Sequence, residues 1–154
     1  MIDREKVQTI TDRNPFARLL GLELLEVSEG YAKGRIPMRK EFGNIYGGMH
    51  GGCVYALADT IAGIAAATYG NYVTTIDGKM NYLLPVKDTA YVYCEARTVR
   101  QGGTIGVYEA RITDDGGRLL DTADFTYYRL DAGIECMELR KALTSAKPGP
   151  WCPI

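Results

Sequence analysis

Residues 50–69, HGGCVYALADTIAGIAAATY, decide the fold. Val54, Leu57, Ile61, Ile64 and Ala65 recur at 3.6-residue spacing, so the run from His50 to about Tyr69 reads as a helix with an apolar stripe. Its other side is unusual: Gly52, Ala56, Ala62, Gly63 and Ala66 lie opposite the stripe, and Asp59 is the only charged residue in the run. A helix without a polar face must be covered all round, which predicts a sheet on one side and a second surface, that of another subunit, on the other. The run approaches the length of a membrane span, but much of it is Ala and Gly and Asp59 stands at its middle. A charge at bilayer centre costs about 3 kcal/mol and nothing here offsets it with strong hydrophobes, so a transmembrane helix is rejected.

On the N-terminal side, Asn14-Pro15-Phe16-Ala17-Arg18-Leu19-Leu20 before Gly21 has a capping side chain, a proline at the first helical position and a closing glycine, and reads as a short helix. Leu22–Ser28 and Tyr31–Pro37, separated by Glu29-Gly30, read as a hairpin whose first strand alternates imperfectly. After Gly70 come four segments rich in Val, Ile, Thr and Tyr: Tyr72–Leu84, Thr89–Val99, Thr104–Thr113 and Arg118–Leu130. Turn chemistry separates them at residues 85–88, 100–103 and 114–117, which predicts antiparallel neighbours in chain order. The plan is α+β, one antiparallel sheet curled around one long helix. Residues 131–154 form a C-terminal extension with a possible short helix at Ile134–Leu143.

The chain of 154 residues, 46% hydrophobic and 24% charged, is long enough for one domain with a real core and too short for two ordinary ones. Its net charge of -1 leaves no electrostatic footprint for nucleic acid or an anionic membrane. The charged start, Met1 to Lys6, lacks the apolar core of a secretory signal, so the cytoplasm is expected. Cys53, Cys94, Cys136 and Cys152 show no CxxC spacing and the chain has one histidine, so neither a zinc site nor a disulfide framework is expected and the thiols read as free.

Asp59 is the first candidate for chemistry, because a carboxylate among alanine and glycine on a covered helix loses water, the circumstance in which a general base is made. A cap or an ion pair with a partner-chain cation is the competing reading, and composition alone does not choose between them. The second candidate is residues 44–52, Asn44-Ile45-Tyr46-Gly47-Gly48-Met49-His50-Gly51-Gly52, which leads into the helix N-terminus. First-turn amides have no internal partners and carry the positive end of the dipole, so the Gly51 N–H can hold a developing oxyanion. Read singly, each is ordinary: a glycine-rich helix entry, a capping His50, a turn Asn44.

Their joint spacing is not ordinary. Asn44, His50-Gly51-Gly52 and Ala58-Asp59 resemble the hot-dog thioesterases of the phenylacetyl-CoA thioesterase (phenylacetate-degradation) family, and the resemblance extends to Thr75-Ile76-Asp77, Asn81-Tyr82-Leu83-Leu84-Pro85 and Arg100-Gln101-Gly102. It covers roughly residues 14–130. It implies a hot-dog fold, a hydrolase acting on an acyl-CoA thioester, and no cofactor beyond the coenzyme A of the substrate. By the same resemblance Asp59 is nucleophile or general base and the Gly51 amide polarises the carbonyl. Asn44 and His50 orient thioester and water, His50 holding Asn44 by a hydrogen bond. Thr75 reaches the Asp of a neighbouring subunit. The site is then shared across a homodimer, two of which pair into a homotetramer. Gly52, Tyr46 and Tyr82 are placed against substrate.

Gly103 departs from the pattern, standing where many relatives carry a basic residue near the coenzyme phosphates; Arg100 and Lys79 are the nearest substitutes. Tyr46, Tyr55, Tyr82 and Met80 can line an acyl pocket or simply be core, so the acyl group is not legible. A hot-dog dehydratase resembles a different motif, with Phe-Pro-Gly near the helix. A non-catalytic acyl-CoA-binding domain is disfavoured by the intact polar set.

Overall fold

The computed structural model describes residues 2–133. The expected short helix at 134–143 and the rest of the tail, with Cys136 and Cys152, lie outside the described residues. The chain opens with α1 (Arg4–Thr11), whose N-cap Asp3 accepts from the Glu5 and Lys6 amides, and continues into α2 (Pro15–Leu20), capped by Asn14 and closed by Gly21. Only the second of these helices was expected. In α1 the apolar residues Val7 and Ile10 are spaced to pack on the core, but the segment is too short and charged for its pattern to stand out.

The hairpin is β1 (Glu23–Ser28) with β2 (Tyr31–Pro37). Leu24 pairs with Gly34 and Glu26 with Lys33, so Leu25 is the extra residue of a bulge, which is why the alternation read from sequence was imperfect. The long helix is α3 (Gly51–Ala67), with His50 as its N-cap. Four strands follow: β3 (Asn71–Tyr82), β4 (Tyr91–Gln101), β5 (Ile105–Thr113) and β6 (Leu119–Gly133). The sheet runs β1-β2-β4-β5-β6-β3, antiparallel throughout, and is open at both edges. With α3 packed across its concave face, this is the hot-dog arrangement.

One expectation fails. β3 and β4, consecutive in sequence, are not neighbours: β3 pairs with β6 and β4 lies between β2 and β5. Residues 83–90 look like a hairpin turn but act as a crossover. Leu83 and Leu84 donate to Leu120 O, and Val86 O accepts from Met49 N at 2.8 Å, so the segment is tied to β6 and to the α3 approach rather than folding back.

The face of α3 that meets the sheet is also wider than the predicted stripe. Val54, Leu57, Ala58, Ile61, Ala62, Ala65 and Ala66 are buried, so Ala62 and Ala66, expected on the opposite side, belong to the core, while Ile64 is only half-buried. Small residues admit the strands closely. Gly34 of β2 shows how closely, because a Cβ there would stand 2.5 Å from Ile61 Cδ1. What remains open is a narrow strip of α3 formed by Gly52, Ala56, Asp59, Thr60, Gly63 and Ala67, none of them buried in the single chain.

Candidate active site

At the entrance to α3, the Asn44 side chain builds the loop. Its Oδ1 accepts from the amides of Tyr46 (2.8 Å) and Gly48 (3.2 Å), and its Nδ2 donates to Met49 O at 3.2 Å. The expected bond between His50 and Asn44 is not the one formed: the His50 imidazole accepts the Gly52 N–H through Nδ1 at 2.9 Å and caps the helix. An accepting Nδ1 carries its ring proton on Nε2. The capping bond also occupies the Gly52 amide, while the amides of Cys53 and Val54 donate to His50 O. The Gly51 N–H is therefore the tip amide with no partner among the described residues, at the positive end of a seventeen-residue helix. Tyr82 lies over it, donating its hydroxyl to Gly51 O at 2.9 Å, and a Cβ at position 51 would press on the Tyr82 ring at 3.1 Å. Only glycine leaves that approach free.

Two and a quarter turns further along, Asp59 is half-exposed on the open strip. Its Oδ1 accepts from Thr75 Oγ1 at 2.9 Å and lies 2.9 Å from the Tyr127 hydroxyl, which is also 2.5 Å from the Asp59 main-chain oxygen. Thr75 thus reaches the Asp of its own chain. Burial, and then the Asp59 carboxylate, push the Tyr127 phenol far above its ordinary range, so it remains a donor. Both donors fall on Oδ1, which leaves Oδ2 to the adjoining cleft. That cleft, about 340 Å³, runs between α3 and α1 past Gly63, Ile64 and Val73 to Val7 and Ile10.

A second cleft, about 470 Å³, begins at the helix tip between Asn44, Gly51 and Tyr82 and is walled by Leu83, Leu84 and Pro85. Tyr46 stands at its rim, 87% exposed. The two halves do not meet within one chain. Asp59 lies eight helical steps after Gly51, about 12 Å along the axis, too far for one thioester carbonyl to touch both.

Lys79 and Arg100 are brought to neither half. Gly78 and Met80 face the core, so Lys79 between them points out, opposite Asp124. Arg100 pairs with Val107, between the inward-facing Gly106 and Tyr108, and shares that outward direction. Both sit on the convex face of the sheet, away from α3. Tyr55 and Met80 pack against the core, Tyr55 edge-on to Phe125 at 5.5 Å between centroids. Sequence reasoning missed Tyr127 and Asp121. Period-two counting along β6 links residues 121, 123, 125 and 127 on one face and would have found them.

A model of the thioesterase superfamily matches residues 46–120. A protein of Halobacterium salinarum, provisionally described as an esterase, is 30% identical over 126 residues, 77% of this chain and 80% of that protein. Acyl-coenzyme A thioesterase 13 of Homo sapiens is 26% identical over 121 residues, 76% of this chain and 86% of that one. Among solved structures, the phenylacetic acid degradation protein PaaI from Thermus thermophilus superposes with a TM-score of 0.72 at 29% identity, covering 76% of this chain and all of that one. The Escherichia coli PaaI protein superposes at 0.79 with 20% identity, a likeness of fold.

Proposed function

Because the chain belongs to the thioesterase superfamily, we propose that it hydrolyses an acyl- or aryl-coenzyme A thioester to the free acid and coenzyme A, using Asp59 of one copy and the helix tip of another. The observation that carries this reading is the division of labour along α3: a Gly51 N–H without a partner among the described residues at the N-terminal end of the open strip, and a carboxylate held by two hydroxyls midway along it. Two copies packed strip to strip, with their helices antiparallel, bring each tip to the other's carboxylate.

The thioester carbonyl oxygen then accepts from Gly51 N–H. Asp59 Oδ2 takes a proton from water as the water oxygen attacks the carbonyl carbon, and the C–S bond breaks on collapse of the tetrahedral oxyanion, sending the sulfur out as the coenzyme thiol once it regains that proton. Thr75 and Tyr127 fix the carboxylate's orientation. His50 and Asn44 act through the shape of the tip rather than on substrate. No cofactor enters the step.

The oligomer has its own support. β3 is an edge strand of twelve residues whose outer edge is unpaired in the sheet, and such an edge pairs readily with a second copy. On the convex face Val99, Ile105, Tyr128 and Leu130 are exposed, an apolar surface on which two dimers can join into a tetramer. Cys53 and Cys94 are unpaired, as suits a reducing compartment, and the cytoplasm is the proposed location. Among the described residues no helix is long and apolar enough to cross a membrane.

Colorimetric thiol release from acetyl-, medium-chain, long-chain and aryl-CoA tests the reading. Release is expected from the wild type and should fall by about a hundredfold or more in Asp59→Asn, with the oligomer unchanged by light scattering. Full activity in that variant ends the proposal.

A further inference from the structure

The reaction above uses nothing from α1, yet α1 is fastened on one side and forms a wall on the other. β1 is the first strand in the sheet order, so its outer edge has no strand partner among the described residues. Side chains of α1 take that place. The Gln8 carboxamide accepts the Leu24 N–H through Oε1 at 2.5 Å and donates through Nε2 to Leu22 O at 3.1 Å, and Arg4 Nη1 donates to Leu24 O at 3.0 Å. A second donation from Gln8 Nε2, to Asp12 Oδ1 at 2.7 Å, fixes the carboxamide on its own helix. An eight-residue helix is marginal alone, so these bonds and the buried Val7 set where α1 lies and how it is rotated.

At 3.6 residues per turn Gln8 and Ile10 point in nearly opposite directions, with Val7 between them. Ile10 is half-buried and shares the cleft beside Asp59 with Ile64 of α3 and Val73 of β3. The hydroxyls that line this cleft are spent. Those of Thr11, Thr60 and Thr68 donate to the main-chain oxygens of Val7, Ala56 and Ala65, and those of Thr75 and Tyr127 are turned to Asp59. A chain that carries amides would find no hydroxyl proton here for its carbonyls, whereas an apolar group gives up nothing on entering. Of the two substituents on a thioester carbonyl beside Asp59, the acyl group is the one that fits.

We propose that α1 gauges the acyl group. Ile10 is the wall against which that group packs, and so determines specificity; Gln8, by clamping α1 to the β1 edge, is the positioning residue that holds the wall at its distance from α3. The inference rests on the hydrolytic reading, which puts the thioester beside Asp59.

The test reads binding first, so that it does not depend on turnover. The ligands are thioethers of coenzyme A bearing short, medium or long ketone chains, which keep a carbonyl but hold no thioester bond, and calorimetry on the full chain gives their ladder of affinities. A methylene gained or lost in a fitted apolar pocket is worth about tenfold or more, so Ile10→Ala should move the tightest-binding chain to a longer one and change the long-to-short ratio by at least about tenfold, and Ile10→Phe should move it the other way. In Gln8→Ala the preferred length should stay while the spread between tightest and weakest shrinks by at least about threefold. The same compression should appear among the corresponding acyl-CoAs in KM rather than in kcat. Ile10 variants that shift every thioether by one common factor overturn the proposal, since the cleft would then hold a part that all of them share; a Gln8→Ala ladder identical to wild type overturns it as well. The expected ladders in a protein that releases no thiol from any acyl-CoA would refute the hydrolytic reading and leave the gauge standing.

Discussion

Asp59 on α3 and Asp121 on β6 have been treated in opposite ways by the fold. Asp59 is half-exposed and has two hydroxyl donors on one oxygen. Asp121 is sealed in, with one amide on one oxygen and, among the described residues, nothing on the other. A carboxylate that accepts a proton from water needs donors and access to water; one that ties a strand end to the next segment, as Asp121 does through the Leu83 amide, can be dry. The contrast separates a carboxylate on α3 that can meet water from one on β6 that is packed against the backbone.

The sharpest way to break that contrast is to disable each end in a different chain. Gly51→Pro removes the tip amide at a first helical position where proline is tolerated, and His50 before it already has the extended backbone that proline requires, with ψ at 132°. Its ring needs Tyr82 to give by a few tenths of an ångström. Loss of one oxyanion donor should lower kcat by about 10²–10³. Asp59→Asn should be as severe. Co-expressed in equal amounts, the two dead variants should recover about a quarter of wild-type activity, because half the dimers are mixed and each mixed dimer carries one intact site. No recovery in verified mixed dimers would mean that the two ends do not work across copies.

A smaller effect tests how Asp59 is held. Tyr127→Phe removes the phenol shared between the Asp59 carboxylate and its main-chain oxygen while keeping the ring packed edge-on to Tyr108. Turnover should fall roughly tenfold, about 1.4 kcal/mol in the barrier, with KM little changed. An equal rise in KM would assign Tyr127 to substrate binding rather than to positioning the carboxylate.

The same contrast explains what the sequence could reveal. Asp59 was legible because it is the only charge in a long apolar helix, and the helix itself because its period is unmistakable. The strands were legible as segments, but not their order: residues 85–88 carry the composition of a hairpin turn, and nothing local records that Leu83 and Leu84 are bonded to Leu120 instead. Lys79 and Arg100 attracted notice as cations near a motif, although alternation around the buried-facing Gly78 and Met80 already turns Lys79 outward. Asp121 escaped for the reverse reason. An acid just inside a strand reads as solvent-facing, and only its parity with Ala123, Phe125 and Tyr127 places it inside.

The gentlest probe compares how the two carboxyls respond to pH. Burial raises the Asp121 carboxyl above its ordinary value, and the Leu83 amide offsets this only in part. The folded state therefore holds this proton more tightly than the unfolded chain does. That contribution to stability is fully present below the unfolded carboxyl value and is lost as pH rises through the folded one. Asp121→Asn has no proton to lose, so its Tm relative to wild type should climb as pH rises above the ordinary carboxyl value and level off above the raised folded one, each 1 kcal/mol appearing as roughly 2–4 °C in a chain of this size. A pH-independent difference would mean that Asp121 keeps the same charge across the range in both states, and a difference that shrinks toward pH 7 would mean that an unseen cation stabilises its ionised form.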